Sequence, residues 1–325
     1  MSHRRKIATY GIAFVIILVL NFLLPRMMAG DPFTAIYGDE AMLAMTADLK
    51  ASLIERFALD QSLWQQFGAY ISGLLQGDMG YSYYYKTQVF DVIMGSLPWT
   101  LLIVGTSLIL STFLGIVLGI ESGWRRGEKI DRALLVGLMS LNGFPDFFLG
   151  LLLLIIFGVS LGLFPLSGAM TPYSGLSGMA LFFDVIKHMI LPVTALTLAH
   201  LSAGYLLTRN TMLSVLKAPF MLTGRAKGLP TKIIKYRYAG RNSMLPVITM
   251  TGIWLGRLVT GALFVELVFA YPGIGYLTYN ALLTRDYPLI QGIFLMVTLS
   301  VLITNFLIDL IYPKLDPRIN YAYQS

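Results

Sequence analysis

Six long apolar runs mark out the chain, near Ile7–Leu24, Leu97–Ile120, Leu134–Ser160, Val185–Leu207, Leu245–Phe269 and Leu289–Ile311. Crossing roughly 30 Å of hydrocarbon takes about 20 mainly apolar residues in a helix. Each run meets that length, and helices satisfy their own backbone polar groups in lipid. The pattern predicts an all-α membrane protein with six transmembrane helices. Two intervening segments are too long to be simple connectors. In residues 25–96, Leu49, Leu53, Ile54 and Phe57 share helical spacing, as do Leu63, Phe67, Tyr70, Ile71, Leu74 and Leu75. Gly77-Asp78-Met79-Gly80 ends that spacing, and Tyr81, Tyr83, Tyr84 and Tyr85 follow, a composition suited to a membrane interface. This amphipathic segment reads as a cap over the bundle; a docking surface for an external partner is the alternative.

Composition agrees with the spans. Apolar residues make up 56% of the 325 and charged ones 13%, against roughly 25% charged in soluble domains. That excludes a set of soluble globules and a disordered chain. The absence of cysteine excludes a disulfide scaffold and a Cys-ligated metal site. The histidines (His3, His188, His200) are too dispersed to suggest a metal site.

The net charge of +7 would hint at nucleic acid in a soluble protein. Its distribution says otherwise. Arg4, Arg5 and Lys6 precede the first run. Arg125, Arg126, Lys129 and Arg132 follow the second. Arg209, Lys217, Arg225, Lys227, Lys232, Lys235, Arg237 and Arg241 follow the fourth, and Lys314 and Arg318 follow the sixth. These are seventeen of the 24 basic residues, all on one set of alternating sides. Basic residues stay in the cytoplasm, so the expectation is a multi-pass protein of the cytoplasmic (inner) membrane with both termini inside. Residues 25–96 then lie outside. The first run also has the basic start and apolar core of a secretory leader. However, it is long for one, and Arg26-Met27-Met28-Ala29-Gly30 is a poor cleavage site.

The cytoplasmic loop, residues 208–244, carries the most local information. Pro219 suits the first position of a helix, where its missing N–H costs nothing. Gly228 suits a left-handed cap, and Pro230 blocks continuation. The piece between, Phe220-Met221-Leu222-Thr223-Gly224-Arg225-Ala226-Lys227, is a two-turn cationic helix. Its small residues Gly224 and Ala226 leave room for a groove wall to approach. Such a helix suits insertion into a groove on a soluble partner. Plain compliance with the positive-inside rule is the alternative.

Thr223-Gly224-Arg225-Ala226-Lys227-Gly228-Leu229, then Ala239-Gly240-Arg241-Asn242 and Leu245-Pro246, resembles the coupling loop of ABC-importer permeases of the dipeptide/oligopeptide/nickel branch. Gly228 matches the Gly of the wider family's Glu-Ala-Ala signature. Further pieces resemble that branch in order along nearly the whole chain. They are Leu59-Asp60-Gln61, Leu74 to Ser82, Leu191-Pro192, Glu266, Tyr271-Pro272-Gly273-Ile274-Gly275, Arg285-Asp286-Tyr287-Pro288 and Asp316-Pro317-Arg318-Ile319.

The resemblance implies a type I permease fold. A first helix (1–24) and an external helical loop (25–96) precede a five-helix core (97–311) containing the coupling loop, and a cytoplasmic tail (312–325) follows. It implies a second homologous permease, two cytoplasmic ATP-binding subunits, an external solute-binding protein and surrounding lipid as partners, and no nucleic acid. Phe220, Leu222, Thr223, Gly224, Arg225, Ala226, Lys227, Gly228 and Leu229 would couple to the ATPase. This chain would hold no cofactor and catalyse no hydrolysis, ATP and Mg being bound by the partners. In agreement, it lacks a G-x-x-x-x-G-K-[ST] loop. Peptides, nickel, metal chelates and glutathione are the implied cargoes. Three positions depart from the branch: Gly224 replaces a usual Ala, Leu222 stands where Glu or Arg is found, and Tyr238 where His is common.

Charges at membrane depth tend to face a cavity or a partner. Arg257 and Glu266 are candidates for the pathway or the subunit interface; pairing within the bundle is the alternative. Asp309 lies near an interface, where a structural role suffices. His188 and His200 read as helix–helix hydrogen-bond partners. Asn142-Gly143-Phe144-Pro145 can unwind the third run, and unwound backbone must line a cavity or be buried in protein. This makes Asn142, Phe144 and Pro145 candidates for a pathway wall or hinge. A secondary transporter driven by an ion gradient would show inverted repeats and mid-span carboxylates. The sequence shows no such repeat, few such acids and no convincing constellation for an intramembrane enzyme.

Overall fold

A computed structural model describes residues 3–28, 32–38, 45–46, 48–49, 61–255 and 262–315. Helices run in the order α1 (His3–Arg26), α2 (Pro32–Tyr37), α3 (Leu63–Leu75), α4 (Val89–Trp124), α5 (Lys129–Leu141), α6 (Asp146–Leu153), α7 (Gly178–Val215), α8 (Pro219–Ala226), α9 (Thr231–Ile233), α10 (Leu245–Leu255), α11 (Leu263–Val268), α12 (Ile274–Leu283) and α13 (Tyr287–Leu315). A wide π-type turn, Leu154–Ser160, extends α6. A second, Ile234–Gly240, extends α9 into Arg241–Ser243. Among the described residues the one strand-like pairing is the bridge between Tyr81 and Gln88.

Among the described residues three helices are long and apolar enough to cross a membrane: Val89–Trp124, Gly178–Val215 and Tyr287–Phe306. A fourth span exists if α5 and the α6 segment count as one, and those two meet at 99°. The third apolar run is therefore not the single helix its hydrophobicity predicts. Asn142 caps α5, and Pro145, extended at ψ 150°, starts α6. Proline disfavours helical backbone in the residue before it, which fixes the break at Phe144. The first run, Ile7–Leu24, lies within α1. The fifth run is described as α10 and α11, with 256–261 outside the described residues.

The contacts divide the chain into two units, Met1–Pro98 with Gly273–Leu302, and Trp99–Pro272 with Ile303–Ser325. In the first unit, Val89 and Ile93 of α4 pack with Ile274, Leu277 and Ala281 of α12 and Leu289, Ile290 and Ile293 of α13. The amphipathic α3 opens with a capping box, Ser62 and Gln65 bonding each other's backbone N–H. It lies against α1 through an edge-to-face contact of Phe22 and Phe67, centroids 5.0 Å apart.

Two pieces of the resemblance meet in this unit. Asp286 is fully buried and accepts from Ser82 Oγ at 2.5 Å, Tyr84 N at 3.1 Å and Leu289 N at 3.2 Å. It thus caps α13 and pins the tyrosine-rich turn at once. Burial pushes its carboxyl above the ordinary range, although these donors pull the other way. Ionisation is accordingly harder in the fold than in the unfolded chain. This site's contribution is therefore greatest below the carboxyl's ordinary value and declines as pH rises through the folded one. Asp286→Ala is expected to cost about 3 kcal/mol, because it strands buried donors. A lower Tm and faster proteolysis within residues 81–88 would register it.

The second unit is held by unusually close helix contact. Gly115, Gly119 and Gly123 form a stripe on α4 facing Gly204, Tyr205, Thr208 and Met212 of α7. A Cβ at Gly119 would lie 2.5 Å from Thr208 Cβ. In lipid, van der Waals packing and interhelical hydrogen bonds, rather than hydrophobicity, join helices, so small residues supply the contact. Elsewhere in this unit Ile103, Leu191, Leu196, Val265, Phe269 and Tyr271 form a core.

Candidate functional site

The short helix α8 forms as the local sequence dictates. Pro219 occupies its first turn, and Gly228 ends the segment at φ +66°. The Gly228 N–H donates to Arg225 O at 2.9 Å. Two residues of α8, Met221 and Gly224, are buried, three apart on one face. Met221 joins Ile120 of α4, Met212 of α7, and Ile234 and Ala239 beyond α9; Leu229 and Tyr238 border this cluster. Phe220, Leu222, Thr223, Arg225, Ala226, Lys227 and Gly228 are exposed, Leu222 at 68%. The helix thus presents an unpartnered face of two large apolar and two cationic side chains.

Gly224 does not belong to that face. It lies beneath the Tyr238 ring of the same chain. The expectation that it leaves space for a partner's groove wall is corrected: burial of the Met221–Gly224 edge turns it inward. Gly224 and Tyr238, both departures from the branch, thus face each other. An added Cβ would sit 3.5 Å from the ring, an ordinary contact. Gly224→Ala is therefore expected to stabilise α8 by about 1 kcal/mol through helix propensity. Slower amide exchange in residues 219–228 would show it.

The segment after α8 is anchored by Lys235, whose ammonium pairs with Glu121 at the end of α4. Glu121 also holds Arg125 at 2.7 Å. Behind it, Arg209 of α7 grips Asp131 of α5 through Nε at 2.7 Å and Nη2 at 2.9 Å. Of these partners Lys235, Arg125 and Arg209 drew attention in the sequence only as positive charges, and Glu121 and Asp131 not at all. A lone Asp early in an apolar-striped helix was the available signal for Asp131.

The proposed pathway residues lie apart from α8. Asn142, Phe144 and Pro145 are exposed at the break between α5 and α6, and Phe144 stacks on Phe148 at 5.3 Å. Past the break, Phe147 of α6 meets Phe264 of α11, centroids 5.8 Å apart. Glu266 of α11 is fully buried and accepts from Thr100 Oγ1 at 2.7 Å. Its carboxylate is thus bonded within the bundle. Arg257 lies outside the described residues, as does the Asp309 side chain. His188 and His200 each donate from Nδ1 to the carbonyl four residues earlier, Asp184 O at 2.8 Å and Leu196 O at 2.7 Å. These Nδ1 bonds stay within α7, where a carbonyl one turn back is within reach of the ring, and the His200 ring also meets Trp254 of α10 edge to face, centroids 5.9 Å apart. Among the described residues no group of three metal-binding side chains occurs.

Residues 111–321 match a family described as the binding-protein-dependent transport system inner membrane component. That stretch contains α8, its anchors and the helix break. The chain belongs to this family of membrane transport components. Its relatives sharpen the placement. It is 31% identical to the di/tripeptide transport system permease protein DppB of Pseudomonas aeruginosa, covering 93% of this chain and 94% of the relative. It is 33% identical to the dipeptide transport system permease protein DppB of Escherichia coli, covering 95% of each. It is 35% identical to the glutathione transport system permease protein GsiC of Escherichia coli, covering 94% of each.

Proposed function

We propose that this chain is one transmembrane subunit of an ATP-driven importer for short peptides or related small solutes, and that α8 transmits the work of cytoplasmic ATPases. The carrying observation is the clamped helix itself, Pro219–Ala226, with one edge buried and the other offering Phe220, Leu222, Arg225 and Lys227. A helix anchored on one side and bare on the other suits a groove on a soluble subunit. Family membership supports the same reading. The relatives' names support peptides and glutathione as cargo; nickel and metal chelates rest on the resemblance alone.

In this reading the six apolar runs are six spans of a type I permease, with both termini in the cytoplasm and residues 25–96 outside. A second homologous permease completes the pathway, an external binding protein delivers solute, and two ATP-binding subunits hold ATP and Mg. The break at Asn142–Pro145 and the α6–α11 contact near Glu266 are the proposed pathway wall. No observation favours the ion-driven alternative. The test is co-expression of the chain with a second permease and two ATPases from one gene cluster, with uptake measured in the presence of the binding protein from the same cluster. Co-purification of a four-part complex and ATP-dependent uptake are expected. Isolation of the chain alone with uptake driven by an ion gradient would overturn the reading.

A further inference from the structure

The tightest polar site of the second unit joins three helices behind α8. Asp131 of α5 is 2% exposed, and Ser122 of α4 and Tyr205 of α7 are fully buried. Beside the two-pronged grip of Arg209, Asp131 accepts from Ser122 Oγ at 2.5 Å and Gly127 N at 2.9 Å. Ser122 Oγ lies 2.7 Å from Tyr205 Oη. A buried ion pair is costly unless its remaining bonding capacity is met, and here both carboxylate oxygens carry two donors. Paired N–H···O bonds also fix direction as well as distance.

On one side of this cluster, the α4–α7 pair is locked by its glycine stripe and carries the pocket that holds Met221 of α8. On the other side, α5 runs from Asp131 to the break at Asn142. Its other polar tie to α7 is the Ser202 hydroxyl, which donates to Leu138 O at 3.0 Å. One tie makes a pivot, whereas two, about 10 Å apart along the helix, make a lever whose angle follows α7.

We propose that Arg209 and Asp131 are positioning residues for transport, forming the joint through which displacement of α8 swings α5 and moves the helix break. The proposal rests on α8 being the coupling helix. It assigns work to an ion pair that touches neither the ATPase face nor the break.

The chain has no cysteine, so Lys217→Cys, just before α8 and outside its ATPase face, and Ser140→Cys, both at exposed positions, place one spin label on each side of the joint. The complex would carry cysteine-free partners, and the distance would be measured without nucleotide and after trapping with ADP-vanadate. With the native pair, the distance is expected to stay constant, the two labels moving as one body. With Asp131→Asn, trapping is expected to shift it by more than about 2 Å, while Mg-ATP turnover persists. Arg209→Lys keeps the charge and loses the fork. It is expected to act in the same direction, and it carries the test if the first variant fails to accumulate. A native distance that changes on trapping, or two variants that hold it constant, would overturn the joint. Gly228→Pro in parallel separates the readings. If ATP turnover ignores it, the coupling reading falls. If turnover responds while both joint variants keep the native distance, only the joint falls.

Discussion

Gly119→Leu is expected to abolish accumulation of folded permease. Even a bare Cβ at position 119 would stand 2.5 Å from Thr208 Cβ and 2.8 Å from Tyr205 O. Neither is the free end of a flexible side chain, so the helices must separate. Separation disrupts Gly115 and Gly123, which approach α7 on the same stripe. It also strains the Ser122–Tyr205 and Arg209–Asp131 bonds one turn further on. Overpacking of one or two methylenes costs about 1–3 kcal/mol, and a leucine in backbone contact exceeds that. Gly119→Ala is expected to fold with a Tm lower by several degrees. The control is Gly105→Ala on the same helix, where an added Cβ meets nothing within 4 Å. It should be neutral or slightly stabilising. Size-exclusion profiles and thermal melts of the solubilised complex would decide. A native-like profile for Gly119→Leu would refute the backbone-contact account of α4 and α7.

Gly228→Pro is expected to leave assembly intact and to lower transport about 100-fold, the upper end of ordinary coupling energies. Position 228 stands at φ +66°, and its N–H donates to Arg225 O at 2.9 Å. Proline holds φ near −65° and has no N–H, so the end of α8 must refold. That pulls Leu229 from the cluster that seats Met221 and turns Arg225 and Lys227 away from their present direction. The α4–α7 core lies outside this change, so the complex should still form. The signature is ATP turnover that no longer responds to loaded binding protein, with subunit stoichiometry unchanged. Gly228→Ala strains the same φ but keeps the N–H, and should fall between. Full transport by the proline variant would remove α8 from the coupling role.

Much of this was legible locally. The frame of α8 follows from Pro219 and Gly228, because missing N–H groups and left-handed backbone are properties of single residues. The interruption of the third apolar run follows likewise from Pro145. The tyrosines at 81–85 stood out by composition, though as interface residues rather than as a turn. The turn's partner Asp286, 204 positions from Ser82, did not, since a capping carboxylate looks the same whether it serves its own helix alone or a distant turn too. The inward facing of Gly224 was equally hidden. A two-turn helix with small residues on several sides carries too weak a periodicity to say which edge is buried.

By itself the sequence determined the apolar lengths, the charge asymmetry, the helix starts and stops and, through ordered motifs, the family. These depend on transfer free energies and backbone preferences that each residue carries with it. Only the tertiary structure decided that α5 and α6 meet at 99°, that a glycine stripe brings α4 and α7 together, and that Arg209 closes on Asp131. In a chain whose helices are apolar on nearly every side, hydrophobicity drives entry into lipid but does not choose helix partners. That choice falls to close packing and a few buried hydrogen bonds, and these exist only once the helices have met.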